Sequence, residues 1–437
     1  MPETYSEPGR EIPVLGEYDV IVCGGGPAGC AAALASARQG AHTLLIEKHG
    51  ALGGAPVTQN VLSVLSTNGV DFQGIWHDWA RQLQKYDGIS SLSRQDREGF
   101  PWIVGSLDPT RVPFAWDDLL TDAGAEILHF VLATDTIVED DTARGIVVES
   151  RGGRTALFAK RIVDATGDGT ICAAAGVPFD HGVDGNSWAM AVSLNAYYGG
   201  VKTSEEYEPG QTNPVGGTGR SLAIAPLFQA GLLRLLEVDP LNPADLTRAV
   251  REGRSQIWER FQSKKQQDAS DDVYLANIAD EPGVRSSRRI HGLATATADD
   301  AWEFNKYPDA IARSSWEIDI HRAEEGSRKV VDYQDENYIP RRRLAAEGDY
   351  FDIRYGAIVA KGIDNLLMGG RCISAEHHAQ SSLRIQQTCQ STGEAAGLAA
   401  ALSLEEGTTP AELSPNHVVG RLERERAEIE PAFDMLC

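Results

Sequence analysis

The sequence predicts an α/β protein: a parallel sheet with helices, a small antiparallel sheet attached to it, and an inserted α+β domain. Three observations carry this reading. An apolar run at 18–23 leads into a glycine turn, an alanine-built stretch and a second apolar run, which together make a strand–helix–strand unit. Short β runs between 127 and 164 end in another glycine-rich turn. The middle of the chain, about 182–355, changes composition before an apolar run and a small-residue stretch return.

Each element has a local cause. The run at 18–23 is broken only by Asp19 and suits a parallel strand covered on both faces. The helix reads 27–39, with Gly40 as its stop, and the second strand reads 42–47. Residues 51–59 read as a glycine and proline loop. The stretch 61–116 mixes short helical pieces with aromatics and receives no assignment, and 117–123 reads as the end of a helix. Strands follow at 127–132, 135–138, 145–149, 154–159 and 162–164, with Gly152-Gly153 as a hairpin turn. The middle holds several tryptophans, charged helices and clustered arginines. A third buried strand reads 365–368, and a helix of small residues reads 394–404. The charged run 423–428 reads as a helix with a solvated face.

Composition narrows the function classes. The chain has 437 residues, 42 % of them hydrophobic, and a net charge of −23. Its length favours two domains. Its charge repels phosphate backbones and anionic bilayers, so no nucleic-acid or membrane partner is expected. No apolar run reaches the length of a membrane span. The first residues lack the basic and apolar regions of a secretory leader, which points to the cytoplasm. The six cysteines, Cys23, Cys30, Cys172, Cys372, Cys389 and Cys437, show neither Cys-x-x-Cys nor metal-ligand spacing. They read as buried or free thiols, and no metal is expected.

The run Gly24-Gly25-Gly26-Pro27-Ala28-Gly29 matches GxGxxG between a strand and a helix, the context a dinucleotide requires. Gly24 allows the tight turn, Gly26 the approach of a pyrophosphate, and Gly29 close helix–strand packing. The helix N-terminus offers unpaired N–H groups to the phosphates. Glu47 ends the second strand, where an acid accepts hydrogen bonds from a ribose. The motif alone does not separate FAD from NAD. Two further strand ends do, at Asp164-Ala165-Thr166-Gly167-Asp168 and at Met368-Gly369-Gly370-Arg371. An extended FAD crosses a sheet and needs backbone approach at more than one strand end. The fold class is therefore a Rossmann-like FAD-binding domain built from 15–60, 111–181 and 356–405. A substrate or cap domain takes 61–110 and 182–355, and 406–437 forms a helical tail. The loop Gly216-Gly217-Thr218-Gly219 lacks a preceding strand, so no second dinucleotide turn is expected.

These residues resemble the bacterial FAD-dependent oxidoreductases of the glutathione-reductase and fumarate-reductase superfamily. Four blocks carry the resemblance: the glycine turn with Gly53-Gly54; 164–168; the arginine block 284–290 with Asp319-Ile320-His321; and 365–374 with His377, Arg384 and 393–397. The chain departs from that group at Ser286, where Glu is usual, and at Arg354 and Gly356, where Pro and Arg are usual. The resemblance implies noncovalent FAD. Gly24 to Gly29 would hold the pyrophosphate, Glu47 the ribose, and backbone near Val131 the adenine, with Lys48 also at the cofactor. Ala165, Thr166, Gly167 and Asp168 would pass the adenosine side. Gly370, Arg371, Gln387 and Thr388 would lie near the flavin, with the helix from about Gln387 aimed at its pyrimidine edge, where reduced flavin carries negative charge.

Catalytic candidates follow from the chemistry. Hydride transfer from an alcohol or amine to flavin N5 needs a base and a water-poor site. His377 reads either as that base or as a packing histidine. Arg384 could bind a carboxylate, hydroxyls or the flavin. Arg285 or Arg288 could face an anionic substrate, while the rest of the arginine block pairs with nearby acids such as Glu281. Asp319 and His321 alternate on an expected strand and so share a face. They read as a base over the flavin or as a buried hydrogen-bonded pair. Trp302, Trp316 and Tyr307 read as core or cavity wall. The expected activity is oxidation of a CH–OH or CH–NH group in a small polar molecule such as a sugar or hydroxy acid. The alternatives are a CH–CH dehydrogenase or ene-reductase acting on a carboxylate, and a noncatalytic flavoprotein subunit. The electron acceptor is not readable, and a homo-oligomer is compatible with the sequence.

Overall fold

The computed structural model describes residues 5, 8–97, 100–200, 220–221, 228–229, 233–268, 272–321 and 349–432. The loop at Gly216 and Cys437 lie outside the described residues. The main sheet follows the order Glu126–His129, Thr43–Glu47, Val14–Cys23, Gly153–Asp164, Thr142–Ser150, Leu132–Glu139. The first four of these strands pair in parallel, and Leu366–Met368 also joins Gly153–Asp164 in parallel. The last three pair antiparallel. This is the mixed α/β architecture the sequence predicts.

The long strand Gly153–Asp164 joins the two parts. Its first half pairs with Thr142–Ser150 and its second half with Leu366–Met368, along one edge. The runs 154–159 and 162–164 are therefore one strand, not two. The run 127–132 is divided: Glu126–His129 joins the parallel sheet beside Thr43–Glu47, and Leu132–Glu139 begins the antiparallel part. Phe130 between them takes a φ of +60°. Alternation alone cannot reveal such a break, because both halves keep the period of two.

Two helices cover one face. Pro27–Arg38 follows the first glycine turn, and Gln386–Glu405 packs along it. Their approach is set by glycine. A Cβ on Gly393 would lie 2.0 Å from the Ala28 carbonyl oxygen, and one on Gly397 would lie 2.0 Å from that of Ala32. The second helix extends eight residues before the small-residue run at 394, close to the start near Gln387 that the resemblance implies, and its polar residues 387–392 are buried. A four-residue helix, Ala55–Thr58, interrupts the expected loop at 51–59.

The unassigned stretch resolves into the helix Ile75–Lys85 and a three-stranded sheet in the order Ser63–Ser66, Phe100–Ser106, Ser93–Arg97. Trp76, Trp79 and Trp116 are buried here within the same apolar core as the main sheet. A second core gathers Val192, Leu194, Leu235, Ala249 and Ile257 under the 26-residue helix Pro243–Asp268. The C-terminal helix Pro415–Glu428 is less solvated than its charge suggests. Its Arg426 reaches Glu394, which is 3 % exposed, at 2.7 Å. No helix among the described residues is long and apolar enough to cross a membrane.

Candidate active site

Register brings the three glycine turns together. Cys23, Asp164 and Met368 lie level across adjacent strands. The chain therefore leaves the sheet at Gly24, Ala165 and Gly369 side by side, beyond the carboxyl ends of the strands. The first strand has its chain-order successor on one side and Gly153–Asp164 on the other, which makes this a topological switch point, the usual ligand crevice of such sheets. A cavity of about 760 Å³ opens there.

The turns are built to admit a large anion. Gly24 takes a φ of +101°, and a Cβ there would lie 2.6 Å from the Ala165 carbonyl oxygen. At Gly26 the same position is open, with only the Gly54 Cα at 4.0 Å. Gly26 is also the N-cap of Pro27–Arg38, with no side chain bonding its free N–H groups. The helix Gln386–Glu405 likewise starts uncapped, and Ile385, Gln386 and Gln387 line the cavity. Two unpaired helix N-termini thus face one cavity. Glu47 closes the turn, accepting from the Gly25 amide at 2.6 Å and the His49 amide at 2.8 Å.

The second turn is pinned from below. Asp164 is fully buried and accepts from the amides of Thr166, Ile171 and Cys172 and from the Thr166 hydroxyl. Asp168 accepts from Arg371 at 2.8 Å and from Ser287 at 2.7 Å. Burial alone would raise its pKa, but Arg371 and Ser287 outweigh burial and hold it low. Arg288 donates to the Asp168 carbonyl and stacks over Phe179. It anchors the turn and does not line the cavity.

The cavity collects most of the residues expected at the cofactor: Gly24, Gly26, Pro27, Ala28, Glu47, Lys48, Gly54, Val131, 165–168, Gly370, Arg371 and Gln387 all line it. Gly29, Gly53 and Thr388 stand one layer behind. Gly29 packs against Gly24, Gly53 donates to the Gly25 carbonyl, and Thr388 is fully buried.

The catalytic candidates separate. His377 starts the short helix His377–Leu383 and does not line the cavity. Burial, then Arg289, His378 and Arg384, lower its pKa to about 4. His321 and Asp319 do line it, in an extended segment outside any sheet rather than on the expected strand. His321 Nε2 lies 3.2 Å from Asp319 Oδ2, and its Nδ1 is buried without a hydrogen-bond partner among the described residues. Arg384 donates to both the carbonyl and the carboxylate of Asp319, at 3.0 and 3.1 Å, and its Nε has no partner among the described residues. Arg285 lines the same end and donates to the Ala191 carbonyl.

Charge is arranged deliberately at this end. Burial, then Arg285, lower the His321 pKa to about 4, so its imidazole is neutral at pH 7. Burial would raise the Asp319 carboxyl, but His321, Arg384 and Arg285 together drive it well below the usual range. Burial, then Arg384, lower the Arg285 guanidinium from its ordinary value, and it still stays positive at neutral pH.

Several cavity residues carried no sequence signal. Asn195, Gln59 and Thr58 were not singled out, whereas Trp316 lines the cavity as the wall residue it was expected to be. Glu281 was expected to pair with arginines. Instead it accepts from Lys48 at 2.5 Å, from His49 at 3.0 Å and from Thr58 at 3.3 Å. Of the departures from the resembled group, Ser286 is buried with its hydroxyl unpartnered among the described residues, Arg354 pairs with Asp309, and Gly356 sits against Ala294.

The family model described as FAD dependent oxidoreductase matches residues 19–422. The chain belongs to this FAD-dependent oxidoreductase family. It is an enzyme whose cofactor is FAD, and the open approach at Gly26 and the two uncapped helices fit that cofactor. A thiamine thiazole synthase of Methanococcus vannielii is 30 % identical over 160 residues, covering 35 % of this chain and 56 % of that relative. A 3-oxosteroid 1-dehydrogenase of Mycolicibacterium smegmatis is 34 % identical over 116 residues, covering 26 % and 17 %. The chain thus spans only about half the length of the first of these relatives. Among solved structures, a geranylgeranyl bacteriochlorophyll reductase-like protein of Thermoplasma acidophilum aligns over 94 % of this chain and 83 % of its own, at 14 % identity and TM-score 0.47. A likeness of that size says nothing about substrate.

Proposed function

We propose that this FAD-dependent oxidoreductase oxidises a CH–OH or CH–NH group in a small polar molecule bearing a carboxylate, a 2-hydroxy acid being the simplest case. The observation that carries the reading is His321 at the cavity wall, 3.2 Å from Asp319, with Arg384 and Arg285 lining the same end. FAD held by the glycine turns would supply the hydride acceptor. The chain supplies the rest. Asp319 takes the hydrogen bond from His321 Nε2, which leaves Nδ1 as the unprotonated nitrogen. That nitrogen removes the proton from the substrate hydroxyl or ammonium. The imidazolium that forms is stabilised by the Asp319 carboxylate beside it. Arg384 and Arg285 hold the substrate carboxylate and orient the reacting carbon. His377 takes no part in the chemistry and packs behind the loop. In this proposal 15–60, 111–181 and 356–405 bind the cofactor, and 61–110 with 182–355 form the substrate part.

The test is anaerobic bleaching of the FAD-loaded protein by a panel of 2-hydroxy acids, amines, sugars and the same alcohols without a carboxylate. The reading predicts bleaching by carboxylates alone. Bleaching by uncharged alcohols and not by acids would overturn it.

A further inference from the structure

The loop that follows Leu366–Met368 serves two cavities. Gly369, Gly370 and Arg371 line the large one, whereas Ser374, Ala375 and Glu376 line a separate cleft of about 120 Å³. Arg289 lines that cleft too. It is 6 % exposed, and its Nη2 donates to the Gly182 carbonyl at 3.1 Å. Its Nε and Nη1 are buried and have no partner among the described residues. A guanidinium has only donors, and buried charged donors left unpaired are costly. The unmet need is for an acceptor.

The other polar groups of the cleft do not meet it. Asp180 stands opposite Arg289 across the strand pair, but its carboxylate is 61 % exposed and faces His291 Nε2 at 3.4 Å. Glu376 accepts from the Ala298 amide at 2.7 Å. The Thr295 and Ser374 hydroxyls bond each other at 3.0 Å. Lys361 lines the cleft from an exposed position. The volume is about four times the roughly 30 Å³ that one water occupies in the liquid. It suits a small ion or the terminal group of a larger molecule, and excludes a nucleotide.

We propose that this cleft is a second ligand site, which binds a small oxyanion, a phosphate or a carboxylate group, on Arg289 with Lys361 and His291 flanking it. The oxyanion supplies the acceptors that Nε and Nη1 lack, and the Ser374–Glu376 side of the loop lies against it. The site is separate from the FAD cavity and independent of the reaction proposed above.

The FAD-loaded protein, with its pyrophosphate cradle filled, is titrated calorimetrically with inorganic phosphate and, separately, with acetate. Chloride keeps ionic strength constant. The site predicts saturable binding of one equivalent. Phosphate preferred over acetate marks a phosphoryl ligand, and the reverse marks a carboxylate. Arg289→Gln and Lys361→Ala should each weaken binding, by about tenfold or more for the buried guanidinium, whose charge-assisted bonds are the strongest lost. Lys361 is exposed, so its variant keeps the test available if Arg289→Gln does not fold. Binding of neither anion above chloride, or binding unchanged in every folded variant, would overturn the proposal.

Discussion

His321 is the residue on which the chemistry turns. Its pKa of about 4 lies below the ordinary 6.5, so the base form persists from neutral pH down to the low fives. The rate of substrate-driven flavin bleaching should be flat across neutral pH and fall as pH drops through about 4, where Nδ1 takes up a proton. An activity that instead rises on acidification would exclude a histidine base. His321→Gln removes the base while leaving Asp319 and the arginines, and should slow bleaching by about 10²–10⁴-fold with FAD retained. Arg384→Gln should act differently. It leaves the base in place and removes a charged contact to substrate, so KM should rise by about tenfold or more, with kcat falling less. A change confined to kcat would make Arg384 a flavin contact. Histidine type and position did not decide between His321 and His377 in the sequence. Both sit in blocks with the right neighbours, and only the fold shows which one meets the cavity.

At the scale of elements, strands and glycine turns were the most legible features. Each marks a backbone need that no other residue meets, and the three turns were visible at Gly24, Gly167 and Gly370 before their strands were seen to align. The pairing of Pro27–Arg38 with Gln386–Glu405 was less legible. It rests on Gly393 and Gly397 meeting the Ala28 and Ala32 carbonyls, a contact between segments more than 350 residues apart. Gly397→Ala should force the helices apart and destabilise the protein by about 1–3 kcal/mol, read as a lower Tm. An unchanged Tm would show that the helices can slide without cost. The small-residue pattern marks only 394–404 of the second helix, because its first turns are polar, and it is the resemblance that places the start near Gln387, one residue from the observed Gln386. Gln386 and Gln387 spend their amides on the carbonyls of Val61, Ser63 and Leu65, and Gln387 also on Asp71, so burial there follows hydrogen bonding and not apolarity.

At the scale of the molecule, a clasp ties the dinucleotide turn to the middle of the chain. Glu281 accepts from Lys48, His49 and Thr58, which line the cavity near the second strand. Burial would raise the Glu281 pKa, but His49 and Lys48 draw it to about 2, while the bond to Glu281 raises that of His49. The signs differ. The Glu281 share of stability is complete above its ordinary 4.5 and is lost as pH falls toward about 2. The His49 share is complete below its ordinary 6.5 and is lost as pH rises through its folded value. Stability from the clasp should therefore peak in mildly acidic solution, and Glu281→Gln should lower it there by about 1 kcal/mol and flatten the pH dependence of Tm. A variant with the wild-type profile would show that the clasp is not holding. None of this was readable in the sequence, where Lys48 and Glu281 lie 233 residues apart and only the closed fold joins them. One cavity is proposed to hold FAD and to present the substrate to His321. Wild type and His321→Gln are titrated anaerobically with a 2-hydroxy acid. Both should show an oxidised-flavin band, bleached at least about a hundredfold more slowly in the variant. A protein that takes up no FAD, or a variant that bleaches at the wild-type rate, would contradict it.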